Sequence, residues 1–272
     1  MGSARLVDKS EKFAWLVRLG YAARGLVYIM LGYFALSTAR GAGDGQSAVF
    51  DAIQDVPLGT PLLWLVALGL LGYAAFKFLD AATDIEHHGS DAKGMAKRVG
   101  SAASGIAHVV LAWTAYQFAT GTKQQASGDT GGEEAAASLL AWDMGSLLLG
   151  VVGLGFLVAA AMQARHAWNA SFMHHVSGRA PRAVEPIGRV GHAARAAVFL
   201  LIGWSIVQSA WFEQSSEVMG LGQAIMALSD NGPVYTFVAV GLILFGVFSL
   251  IVARYRIIPD VGHDLRRPRF HH

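Results

Sequence analysis

Apolar residues in this chain fall in blocks about twenty long, separated by short polar stretches rich in Gly, Ser, Asp and Arg. Six blocks stand out: 19–38, 58–79, 99–119, 144–163, 193–212 and 233–253. A helix crosses ~30 Å of hydrocarbon in about 20 residues, so each block predicts a transmembrane helix. The first is too long for a cleaved signal peptide, and its pattern recurs twice. All seven prolines lie in loops or in the first turn of a helix, which predicts straight spans. Shorter amphipathic stretches at 48–55, 135–142 and 223–229 fall in the loops after the first, third and fifth blocks. Val49 with Ile53 and Val56, Leu139 with Leu140, and Ile225 with Met226 form their apolar faces. Such segments predict short helices that either lie at the membrane surface or cap the bundle.

Composition agrees with a membrane chain. It is 54% hydrophobic and 15% charged, against roughly 25% charged in ordinary soluble proteins, and its mean hydropathy is +0.42. That excludes a disordered chain, a soluble nucleic-acid binder and a secreted disulfide scaffold. With no Cys, thiolate metal sites, iron–sulfur ligation and cysteine nucleophiles are excluded too. Charge sets the orientation. Of 21 Lys and Arg, seventeen lie before the first block, from Lys77 at the end of the second block up to the third, between the fourth and fifth, or after the sixth. The opposite loops hold only Arg40 and Lys123 among ten acids. Basic residues resist translocation, so both termini are expected in the cytoplasm, including a basic tail at 259–272.

The chain is also an internal repeat. Arg18-Leu19-Gly20-Tyr21-Ala22-Ala23-Arg24-Gly25 recurs as Arg98-Val99-Gly100-Ser101-Ala102-Ala103-Ser104-Gly105 and as Arg189-Val190-Gly191-His192-Ala193-Ala194-Arg195-Ala196. Fifteen residues after each leading Arg stands an aromatic: Tyr33, Trp113 or Trp204. Repeats at 13–86, 94–170 and 185–258 are expected, all entering from one side and hence parallel, within a single membrane domain spanning 1–272. Gly and Ala let helix backbones approach closely in lipid. Gly20, Gly100 and Gly191 are therefore expected at helix contacts, with the first helix of each repeat innermost. The expected fold is an all-α pseudo-threefold bundle of six transmembrane helices, arranged as three tandem hairpins, with short amphipathic helices in the outer loops.

Three tandem two-helix units opening with R-x-G-x-A-A-x-[GA] resemble the bacterial integral membrane family known as domain of unknown function 1206. The Ser90-Asp91-Ala92-Lys93-Gly94 linker and the Ala253-Arg254-Tyr255-Arg256 ending are similar as well. The resemblance covers residues 13 to 258. It implies the repeat architecture and a location in the bacterial cytoplasmic membrane, and it transfers no catalytic residue. Ala196 departs from the pattern, where the other copies have Gly25 and Gly105.

Arg24 and Arg195 share one repeat position, with Ser104 as their counterpart. One turn deeper stand Tyr28, His108 and Phe199. Turned inward, these residues would form a layer for an anion, a lipid headgroup or a carboxylated metabolite. Alternatively the arginines snorkel to the headgroups, being only ~9 Å deeper than the leading arginines, or pair inside the protein. His108 also fits a neutral imidazole hydrogen-bonded between helices. Cytoplasmic His87, His88, His174 and His175 form a weaker alternative as metal ligands, with Asp84 or Glu86 helping. No P-loop, HExxH or nucleophile constellation occurs, and no cofactor is expected. An integral membrane protein without catalytic activity follows, a scaffold or accessory protein that binds lipids, anionic ones included, or a partner membrane protein. The alternative is a small transporter or channel built around the arginine layer. No nucleic acid is an expected partner.

Overall fold

The computed structural model describes residues 3–37, 45–55, 57–86, 88–122 and 131–257, so the basic tail, His87 and Val56 lie outside it. Among the described residues every regular element is a helix, apart from an isolated antiparallel bridge between Val176 and Arg256. Its helices are α1 (Ser3–Ser37), α2 (Gly45–Gln54), α3 (Gly59–Thr83), α4 (Ala92–Ala119), α5 (Gly131–Leu140), α6 (Gly145–Asn169), α7 (Val184–Phe212), α8 (Leu221–Met226) and α9 (Gly232–Tyr255). Five are long and apolar enough to cross a membrane: the Val17–Ser37 part of α1, then α3, α6, α7 and α9. The protein is thus a multi-pass membrane protein. The sixth predicted span lies in α4, which is equally long but more polar. Lys93, Lys97 and Arg98 fill its first turns, and Ser101, Ser104, His108, Thr114 and Gln117 interrupt the apolar run.

Each leading arginine of the later repeats ends the helix before it. Arg98 donates from Nε to the carbonyl of Ala81 (2.8 Å) and from Nη2 to that of Ala82 (3.0 Å). Arg189 reaches the carbonyls of Ala167 and Trp168 in the same way. Unpaired carbonyls at a helix C-terminus carry partial negative charge, so a guanidinium there satisfies both acceptors and dipole. The R of the repeat motif is therefore a clamp between consecutive repeats. Beyond the clamp, α3 and α6 end on Asp84 and Ala170 in the left-handed region (φ 56° and 50°). Asp84 stabilises that turn by accepting from the backbone N–H of His88 (2.6 Å) and Gly89 (3.1 Å).

Packing runs between first and second helices in alternation. The first helix of each repeat lies along the second helix of another: α4 on α3, α7 on α6, and α1 on α9. Within repeats, α1 also packs on α3 and α7 on α9, whereas α4 and α6 make no comparable contact. First helices reach one another through long side chains, as Arg195 of α7 does over the Tyr28 ring of α1.

The glycines explain how the hairpins close. A Cβ on Gly20 would stand 2.5 Å from Tyr73 Cβ, and one on Gly191 would stand 2.7 Å from Phe245 Cα. From the other side, Gly69 meets the Leu19 carbonyl at 2.9 Å and Gly241 meets Ala194 Cβ at 2.4 Å. The counterparts in the middle repeat, Gly100 and Gly155, have nothing within 4 Å. The expected contact therefore holds for Gly20 and Gly191 and fails for Gly100.

The three predicted amphipathic stretches form α2, α5 and α8. At that end of the bundle α2 buries Val49, Phe50 and Ile53, while α8 buries Ala224 and Ile225. Taking a ring such as Phe50 out of water contributes about 1.5–3 kcal/mol. Gln54 Nε2 donates to the Phe118 carbonyl at 3.1 Å, which fixes α2 over the end of α4.

Candidate functional site

The arginine layer sits between α1, α3, α7 and α9. Arg24 donates from Nε and Nη2 to Ser249 Oγ (3.2 and 3.1 Å) and from Nη1 to the Tyr73 hydroxyl (2.9 Å). Its guanidinium lies 4.6 Å from the Tyr21 ring centre, and 5.1 Å from those of Tyr73 and Phe245. Arg195 lies 4.4 Å from the same Phe245 ring, 4.7 Å from Phe199 and 5.4 Å from Tyr28. Its Nε is enclosed and has no hydrogen-bond partner among the described residues. Both arginines thus turn into the protein rather than out to the headgroups. No carboxylate of the described residues pairs with either one. Two cations sharing one aromatic ring without an acid leave an excess of positive charge, which cation–π contacts offset only in part.

His108 joins the layer from α4, its ring centre 4.4 Å from that of Tyr73. Its Nδ1 lies 2.7 Å from the Ser104 carbonyl, an acceptor only, so Nδ1 carries the proton. Ser104 enters the arrangement through that carbonyl. Arg24, Tyr28, Ser104, His108, Arg195 and Phe199 are all half-buried, while Ala23, Val27, Gly105, Ala194 and Val198 beside them on the same helices are buried. The structure brings Arg24, Tyr28, His108, Arg195 and Phe199 of the two predicted layers together around Tyr73 and Phe245. Tyr73, Phe245 and Ser249, which complete the arrangement, stand on second helices, where only the interruption of an apolar run by Tyr or Ser marks them in the sequence.

Below this layer, at the end where the leading arginines gather, is an ionic knot. Glu86 binds Lys77 Nζ at 3.3 Å and also Arg256. The fully buried Asp80 accepts from Ser101 Oγ (2.6 Å) and from the backbone N–H of Glu86 (3.0 Å). His88 Nε2 stands 3.3 Å from Asp80 and 3.5 Å from Glu86. Burial opposes ionisation of Glu86, but the His88 hydrogen bond and the charges of Lys77 and Arg256 outweigh it, holding its carboxyl far below the usual range. The hydrogen bond to Glu86 raises the pKa of His88 against the effect of burial, helped by the Asp80 charge. Tyr21 connects the two levels, with its ring 5.0 Å from Tyr73 and under the Arg256 guanidinium at 4.9 Å.

Donor atoms of Asp80, Glu86 and His88 lie within 4.8 Å of one another, as a metal site would need. Lys77 and Arg256 already neutralise this pair of acids, so a divalent ion would add charge to a balanced cluster. Of the histidines weighed as metal ligands, the structure brings His88 into the cluster and leaves His174 exposed. His175 faces Glu86, burial lowering its pKa despite that charge. Asp84 is engaged in the turn after α3.

A pocket of about 340 Å³ opens beside the knot, lined by Arg18, Ser177, Arg179, Arg254, Tyr255, Arg256 and Ile257. Arg18 holds the repeat position of the clamping arginines, yet its Nε has no hydrogen-bond partner among the described residues.

The chain matches the family described as Domain of Unknown Function (DUF1206) in three segments, residues 19–84, 99–170 and 190–256. It is 31% identical over 261 residues to the uncharacterized protein YxxB of Bacillus subtilis (strain 168), a match covering 91% of this chain and 94% of that protein. No solved structure matches it. Three matched segments that follow the three helical hairpins, with a relative similar over nearly its full length, establish that the chain belongs to the DUF1206 family.

Proposed function

We propose that this protein binds an anionic ligand inside a helical bundle of the bacterial cytoplasmic membrane, and that it does so without catalysis. The single observation that carries the reading is the pair of inward arginines sharing Phe245 with no carboxylate between them. A charge in the membrane interior is costly, ~2.5–3.5 kcal/mol on insertion scales, so two retained without an acid point to a counter-charge from outside the chain. One guanidinium is held by Tyr73 and Ser249, and the other has an Nε with no hydrogen-bond partner among the described residues. That is the donor set that phosphate or carboxylate oxygens use.

In this reading all six long helices cross the bilayer and the three hairpins are related by a pseudo-threefold axis along the membrane normal. The cyclic pairing of α4 with α3, α7 with α6 and α1 with α9 supports it. Exposed Trp15 and Trp168 at the basic end and Trp142 and Trp211 at the other suit two interfacial belts. Both termini are cytoplasmic, by the weight of basic charge. Membrane lipid is the nearest supply of anions, and the Arg18–Arg179–Arg254–Arg256 pocket suits headgroups at the cytoplasmic surface. A transporter built on the same layer is the second reading, but Asp80, the acid within α3, stands at that helix's cytoplasmic end and is already engaged by Ser101 and the Glu86 N–H rather than placed in the layer for proton coupling.

Native mass spectrometry of the purified protein tests the proposal. Wild type should retain anionic lipid, Arg24→Lys and Arg195→Lys should retain less, and the double Arg→Gln variant should retain none at this layer while staying folded. Equal retention by the double variant would refute the site.

A further inference from the structure

The middle hairpin differs from its neighbours in a way that bears on how a ligand reaches the arginines. In the first and third repeats a glycine on the first helix receives the backbone and Cβ of a residue of the second whose ring packs on the residue after the glycine: Tyr73 meets Gly20 and Tyr21, and Phe245 meets Gly191 and His192. Counting from Gly69, Gly155 and Gly241, which hold one repeat position, the residue four further on is Tyr73, Ala159 and Phe245. The second helix of the middle repeat thus carries Ala159 in place of the ring, Gly100 and Gly155 meet open space, and α4 and α6 make no contact comparable to the other hairpins.

The walls of this slot lead to both arginines. From α4, the His108 ring meets Tyr73, whose hydroxyl holds Arg24. From α6, the Phe156 ring lies 5.8 Å from Phe199, which Arg195 covers. The outer flanks are apolar, with Ile106 and Val110 exposed on α4 and Val151, Leu154 and Val158 exposed on α6. Gly100 and Gly155 retain the small surfaces that let the other two hairpins close.

We propose that the middle repeat is a lateral gate, through which an anionic glycerophospholipid enters from the bilayer. Its acyl chains lie between α4 and α6, and its phosphate accepts from Arg195 and Arg24. Cationic depth and apolar walls together fit this occupant, since a free anion has no use for the walls and a neutral lipid has none for the arginines. With the slot empty, Gly100 and Gly155 allow α4 and α6 to close as the other hairpins do. The inference rests on the arginine layer being an anion site.

Ala23 meets Gly69 and Ala194 meets Gly241 in the closed hairpins, so Ala103 and Gly155 are the equivalent pair in the middle one. The Ala103→Cys/Gly155→Cys double variant, in a chain with no native Cys, is to be oxidised in nanodiscs. In phosphatidylcholine discs the disulfide should form readily, and in phosphatidylglycerol discs at least severalfold more slowly. The trapped protein should bind phosphatidylglycerol about tenfold more weakly than the reduced one, and reduction should restore binding. Failure to trap in phosphatidylcholine, or undiminished binding by the trapped protein, would refute the gate while leaving the arginine site standing. A pair that traps in a protein that binds no phosphatidylglycerol when reduced would refute the ligand instead. Inorganic phosphate added to phosphatidylcholine discs should not slow trapping. If it protects as phosphatidylglycerol does, the occupant is a free anion and the lipid assignment is overturned.

Discussion

The first and third hairpins are closed and the middle one is open, although all three carry glycine at the same two positions. The difference lies in what packs beside each glycine. The rings of Tyr73 and Phe245 pack on Tyr21 and His192, the residues next to Gly20 and Gly191, and both rings also lie against Arg24. Ala159 does neither. Gly lets two helices approach closely in lipid, and a ring packed on the next residue holds them closed; without the ring, closure is weak enough for a lipid to displace. Divergence at a single position in the repeat thus separates a structural hairpin from an accessible one.

Adding one methyl group breaks this comparison most sharply. Gly20→Ala and Gly191→Ala place a Cβ within 2.5 and 2.7 Å of the opposing helix, and each should cost about 2–3 kcal/mol. Gly100→Ala meets open space and should stabilise by roughly 0.5–1 kcal/mol through helix propensity. Unfolding in mixed micelles would reveal this reversal of sign. Equal losses at all three positions would mean that α4 is packed on α6 after all. Next in size, Ala159→Phe should give the middle hairpin the ring that the others have. An aromatic contact contributes about 0.5–1.5 kcal/mol, so stability should rise by that amount while retained lipid falls. Stability gained with lipid unchanged would separate hairpin closure from access.

Much of this architecture is legible in the sequence, because span length and repeat spacing are local patterns. The opening motif locates Arg24 and Arg195 at one level, and the amphipathic periods locate α2, α5 and α8. Their partners are not legible in the same way. Tyr73 lies 49 residues from Arg24 and Ser249 lies 225 residues from it, and no local pattern announces such contacts. Gly100 and Gly155 read like their closed counterparts, and only alignment of the second helices shows Ala159 in place of an aromatic. Lys77, Glu86 and Arg256 likewise appear as ordinary interfacial charges until the fold brings α3, the turn after it and the end of α9 together. Arg24 and Arg195 have the opposite history. Their depth alone allows snorkelling, and it is Ser249, Tyr73 and Phe245 that turn them inward.

The smallest expected effect concerns the knot that joins the first and third repeats. The folded-state pKa of His88 is raised, chiefly by Glu86. Its protonated form therefore stabilises the fold fully below the ordinary value of about 6.5, and that contribution is lost as pH rises through the higher folded value. Thermal unfolding between pH 6 and 9 should show a falling Tm in wild type and a flatter profile in His88→Gln. A wild-type profile that rises over this range would contradict the assignment.

An anionic lipid in the open hairpin would place its phosphate at the paired arginines. Electron cryomicroscopy of the protein in phosphatidylglycerol nanodiscs tests it most directly. Lipid density is expected between α4 and α6, ending in a phosphate within hydrogen-bond distance of Arg195 Nε and near Arg24. A middle hairpin closed like the other two, or an open one filled by lipid whose headgroup stays at the membrane surface, would contradict it.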